Sequence, residues 1–94
     1  MKYPPSIVTD DLEHCYICQD TNVAIHHVFG GSYRDKSTKY GCTVALCPDH
    51  HTNTFYSVHQ NNDLNIYFKR LAQKKFEELY GHELYMKEFK KNWL

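Results

Sequence analysis

The sequence predicts a small α+β fold, a zinc-stapled core followed by C-terminal helices. Three observations carry that expectation. Two pairs of side chains, Cys15-x-x-Cys18 and Cys47-x-x-His50, have the spacing of metal ligands. Two β-prone runs, residues 23–29 and 42–47, lie between and beside those pairs. From Asp63 onward the apolar residues recur at helical spacing.

Residues 1–13 read as an irregular or extended lead-in, since Pro4-Pro5 excludes helix. The run 23–29 is stopped by Gly30-Gly31, and the polar stretch 31–41 reads as a connecting loop. Residues 42–47 form the second strand, and Pro48-Asp49 looks like a helix start. Thr52-Asn53-Thr54 is poor in helix formers, so that helix is expected to be short or interrupted. Leu64, Phe68, Leu71, Phe76 and Leu79, with Tyr67 and Ala72, outline a longer helix that Asn62 or Asp63 caps and Gly81 stops. Residues 82–92 suggest a last short helix, with Tyr85 and Phe89 one turn apart. The expected organisation is a lead-in (1–13), a metal-binding core (14–60) and a helical extension packed on it (61–94).

A chain of 94 residues holds one small domain whose core gives thin stability, so a staple is expected. No apolar run is long enough for a transmembrane helix, and Met1-Lys2-Tyr3-Pro4-Pro5 lacks the apolar stretch of a signal peptide. The expected compartment is therefore a reducing cytoplasm, with no membrane partner. There the four cysteines are more readily metal ligands than disulfides. The alternative is that the cysteines are unrelated and simply buried. The formal charge is zero, which gives no whole-chain argument for nucleic-acid binding. Residues 61–94 nevertheless carry seven basic and five acidic side chains, against four and six in residues 1–60.

The pairs Cys15/Cys18 and Cys47/His50, separated by 28 residues, make a four-ligand tetrahedral zinc site that is closed and structural. Cys42 stands outside both pairs and reads as a small apolar strand residue. His26, His27, His51 and His59 remain. Neighbours on a strand face opposite ways, so one of His26-His27 can bind a metal while the other points elsewhere. His51 follows a zinc ligand and is held by the frame. Imidazole is both a good ligand for divalent transition metals and the preferred general base near neutral pH, the two groups that phosphodiester hydrolysis needs. A continuous helix would separate His51 from His59 by about 12 Å, so they can share an ion only if the helix breaks.

With these residues in place, the chain resembles the HNH (ββα-metal, His-Me finger) endonucleases. The matching string is C-Y-I-C, I-H-H-V, a Gly-Gly loop, and V-A-L-C-P-D-H-H followed by V-H. It looks most like the small HNH proteins encoded by phages and prophages of Gram-positive bacteria. The resemblance implies a β-hairpin and helix around one catalytic divalent ion (Mg²⁺, Mn²⁺, Ni²⁺ or Zn²⁺). It implies His27 as general base, and His26 with His51 and His59 as ligands of that ion. It also implies a structural zinc on Cys15, Cys18, Cys47 and His50. DNA is the implied substrate, cut with low sequence specificity in a bacterial host cell, with a phage or prophage protein as a further partner. The family's middle Asn sits five residues before the first Cys of the second zinc pair, where this chain has Cys42. A backbone carbonyl would then brace His27.

Arg34, Lys36 and Lys39 lie between the strands and either clamp phosphates or form a solvated loop. On the long helix, Lys69, Arg70, Lys74 and Lys75 are either solvated surface or a backbone-binding strip. The alternative function is a zinc knuckle that binds nucleic acid or protein without cutting.

Overall fold

A computed structural model describes residues 4–94. Residues 1–3 of the expected lead-in lie outside the described residues. The chain forms a small α+β fold with a two-stranded sheet and helices. Strand β1 (Ala24–His27) pairs antiparallel with β2 (Thr43–Leu46), placing His26 opposite Val44 and His27 opposite Thr43. β2 is buried along its whole length, whereas on β1 His26 is the one fully buried residue. The pleat therefore turns His26 inward and leaves His27 half-buried on the other side.

The segment between the strands is not the loop its polarity suggested. It holds a 3₁₀ turn (Gly31–Tyr33) and helix α1 (Arg34–Tyr40). The reason is tertiary as well as local. Asp35 in the first turn and Lys39 in the last complement the helix dipole. The buried Ser37 hydroxyl donates to Phe29 O (2.7 Å) and accepts from Phe29 N (3.1 Å), pinning the helix to the end of β1. Gly41 ends α1 in the left-handed region at φ 74°. A Cβ there would lie 2.3 Å from Pro5 O, because the lead-in crosses at that point. Ile7 N donates to Gly41 O and Tyr16 N to Ala45 O, both at 2.8 Å, so the segments around them are tied to the sheet.

After β2 and Pro48 the chain makes one wide π-helical turn, Asp49–Asn53, and then doubles back. Helix α2 (Asn62–Tyr80) follows, and its cap is Asn61, one residue before the expected position, with Oδ1 accepting from Asp63 N at 3.0 Å. Gly81 separates α2 from helix α3 (His82–Phe89). Phe68, Ala72 and Phe76 are fully buried, and Phe29, Val44, Leu46, Tyr85 and Phe89 complete the core with them. Leu79, expected in that stripe, is 61% exposed. At that end of α2 it is the Tyr80 ring that stacks, 4.8 Å from Phe76 and 5.6 Å from Tyr40. Gln73 is among the fully buried polar side chains. Its amide nitrogen donates to Glu77 Oε2 and Asn92 Oδ1, and its oxygen accepts from Trp93 N, each at 2.7 Å. The C-terminal tail is thereby docked on α2. Among the described residues no helix is long and apolar enough to cross a membrane.

Candidate metal centre and cleft

Cys15, Cys18, Cys47 and His50 converge, with their ligand atoms all within 4.8 Å of one another. Cys18 Sγ lies 3.6 Å from Cys47 Sγ, Cys15 Sγ 3.7 Å from His50 Nδ1, and Cys47 Sγ 3.1 Å from the same nitrogen. A tetrahedron with zinc–sulfur bonds of ~2.3 Å has edges of about 3.8 Å, so this cluster can hold a zinc ion. Burial opposes ionisation of Cys15, but N–H groups of Cys18, Cys47 and Ile17 outweigh it and pull the thiol down to about 6. A thiolate is the ligand form.

A second group forms beside the first. His26, His51 and His59 also bring ligand nitrogens within 4.8 Å of one another. The backbone explains how residues eight apart meet. After the wide turn, Val58 N donates to His50 O (2.8 Å) and His59 N to His51 O (3.2 Å), so 58–59 runs back along 50–51. The intervening reversal is closed by Ser57 N donating to Thr54 O and by Thr54 Oγ1 donating to Asp49 O. His51 Nε2 and His59 Nε2 end 3.0 Å apart. The expected break between these two residues is thus present, and it makes a reversal rather than a mere kink.

His26 is 6% exposed, and its Nε2 is buried with no hydrogen-bond partner among the described residues. Burial, then the neighbouring His59, His51 and His27, push its pKa down to about 3. Burial and His59 lower that of His51 as well. Three converging imidazole nitrogens, one of them orphaned, suit a divalent cation. The edge expected for nitrogen ligands at ~2.0–2.1 Å is about 3.3 Å, close to the His51–His59 separation.

His27 stands next to this group without belonging to it. Its Nε2 is 2.9 Å from Thr38 Oγ1, and the Thr38 hydroxyl in turn donates to Arg34 O at 3.3 Å. The direction of the His27–Thr38 hydrogen bond follows the tautomer of the ring, and the contact fixes the ring's orientation in either case. Burial and then Arg34 lower the His27 pKa, with Asp35 opposing. On the Nε2 side the ring is braced by a threonine side chain from α1. Cys42, at the position compared with the family's Asn, is fully buried in the core, and burial pushes its thiol up to about 12.

A cleft of about 240 Å³ opens over these residues, lined by Ile25, His26, His27, Gly30, Gly31, Arg34, His51 and His59. Of the three basic residues between the strands, the cleft includes Arg34 alone. Lys36 Nζ donates to Glu88 O (3.0 Å) and faces Glu88 Oε2 at 3.9 Å, and Lys39 Nζ sits 5.1 Å from the Tyr40 ring centroid. A second groove of about 200 Å³ shares His26, His27 and His59 and reaches Asn65 and Lys69. Thr38 and Asn65 were not singled out from the sequence. Thr38 sits in the segment read as a loop, and Asn65 falls between positions of an apolar stripe. No family model, curated protein or solved structure matches the chain.

Proposed function

We propose that the protein is a metal-dependent DNA endonuclease of the HNH kind, hydrolysing phosphodiester bonds. The observation that carries the reading is one cleft in which three histidine nitrogens converge, one of them buried and unpartnered, beside a separately braced histidine. His26, His51 and His59 would hold a divalent ion, which when bound supplies Lewis-acid stabilisation of charge at the phosphate and the leaving oxygen. The His27 ring takes a proton from the attacking water. Thr38 fixes the ring that does so. Arg34, at the cleft, offers its guanidinium to a phosphate oxygen. The Cys15/Cys18/Cys47/His50 frame holds zinc as a structural element and positions His51 through the adjoining peptide bond.

The test is nicking of supercoiled plasmid with Mg²⁺, Mn²⁺, Ni²⁺ or Zn²⁺. Imidazole ligands predict a preference for the transition ions over Mg²⁺. His27→Ala is expected to cut ~10²–10⁴-fold more slowly with circular dichroism and zinc content unchanged. Equal cutting by wild type and His27→Ala removes His27 from the mechanism. No cutting with any ion supports the zinc-knuckle binding module instead.

A further inference from the structure

The second groove lies across the shared histidines from Arg34 and ends at Asn65 and Lys69. Lys69, on α2, has its Nζ 4.5 Å from the Trp93 ring centroid, and Lys91 Nζ is 4.3 Å from the same centroid. Neither lysine enters an ion pair among the described residues. A partly buried ammonium beside a second cation, with no carboxylate against it, is held at a cost that the ring offsets in part. Burial first, and Lys91 second, lower the Lys69 pKa accordingly.

The arrangement is built rather than incidental. The fully buried Gln73 ties Asn92 and Trp93 to α2, Arg70 Nε donates to Trp93 O at 2.9 Å, and Tyr85 OH donates to Lys91 O at 2.7 Å. A short tail carrying an aromatic ring and a cation is thus fixed against the one lysine that lines the groove. An anion arriving in the groove would relieve the repulsion and complete the site.

We infer that Lys69, braced by Trp93 and Lys91, is a second phosphate-binding arm. It holds a backbone phosphate of a nucleic-acid strand that crosses the histidines from Arg34. Asn65 supplies an amide to the same stretch of backbone. The contact is to phosphate, so it adds affinity without reading sequence. The inference rests on the cleft taking a nucleic-acid strand, as proposed above.

Trp93 is the single tryptophan, so its emission reports on Lys69 directly. Zinc-loaded full-length protein is titrated with a short DNA duplex, without added Mg²⁺ or Mn²⁺, across a range of salt. Wild type is expected to show a saturable change in Trp93 emission. Lys69→Gln is expected to lose that change, to bind roughly tenfold more weakly, and to lower the salt slope by about one. Lys69→Arg is expected to restore all three. Wild-type affinity and salt slope in Lys69→Gln would overturn the inference. So would an emission change produced by inorganic phosphate but not by the duplex. His27→Ala should give the wild-type emission response although it cuts ~10²–10⁴-fold more slowly. A Lys69-dependent response in a protein that never cuts keeps this inference and removes the hydrolytic reading. Cutting without any such response does the reverse.

Discussion

The Nε2 of His26 is buried without a hydrogen-bond partner among the described residues, which costs about 1–3 kcal/mol in a protein not bound to a cation there. Burial lowers the pKa of this ring and two further imidazoles lie against it, which fits the ligand role proposed above. His26→Leu should therefore raise the melting temperature of protein carrying only its structural zinc, while calorimetry finds no binding of a second ion. A lower melting temperature with ion binding intact would refute that assignment. Thr38→Val removes the brace on His27 without removing the base. Cleavage should fall ~10–100-fold, as when the partner that orients a functional histidine is lost, with ion affinity unchanged. Gly41→Ala places a Cβ at φ 74° against Pro5 O and should cost about 1–2 kcal/mol from the left-handed conformation alone, read as a lower denaturation midpoint. The histidines were legible because their residue types and close spacing announce chemistry. Thr38 was not, because its role spans eleven positions and exists only once α1 has formed.

Among the elements, the reversal after Asp49–Asn53 decides whether His59 joins the site. Thr52-Asn53-Thr54 signalled that no ordinary helix continues there. That the chain would return far enough for His59 N to bond His51 O could not be read from composition, because this pairing is set by backbone bonds across the turn. α1 was missed for a related reason. Its polar sequence has no apolar stripe, and Ser37 and Gly41 hold it to the sheet. At the joint of α2 and α3, Glu77 accepts from Gln73 Nε2 at 2.7 Å and faces His82 Nδ1 at 2.8 Å. Partial burial opposes its charge, but these contacts prevail and lower its pKa below the ordinary 4.5. The folded protein thus holds the Glu77 charge more readily than the unfolded chain does. That stability is present above 4.5 and is lost as pH falls through the lower folded value. The difference in melting temperature between wild type and Glu77→Gln should shrink over that window. A constant difference would separate Glu77 from the acid response.

For the molecule as a whole, a core of this size leaves a margin that one metal site can exceed. Structural zinc contributes about 10–16 kcal/mol in small zinc-binding peptides, against about 5–15 kcal/mol for the total stability of a domain. Removing zinc with a strong chelator should abolish the near-ultraviolet circular dichroism of the aromatic core, and re-adding it should restore the signal. The convergence of the four frame residues was visible in two spacings, since ligand pairs announce their own meeting point, and the α+β class in the two β-prone runs and the helical recurrence after Asp63. The docking of the tail through Gln73 was not, because one buried glutamine gives no pattern along a helix.

His50 and His51 are consecutive, yet one belongs to the zinc frame and the other to the histidine group in the cleft. On the proposed reading, a molecule without zinc in that frame loses the alignment of the peptide from which the histidine group is hung. Preparations of intermediate zinc content are then mixtures of fully competent and inert molecules. With Mn²⁺ as the ion of the cleft, cleavage per mole of protein under the proposed function should rise in direct proportion to zinc bound at the frame, and the rate per frame zinc should stay constant. A colorimetric zinc assay would then count the working molecules in any sample.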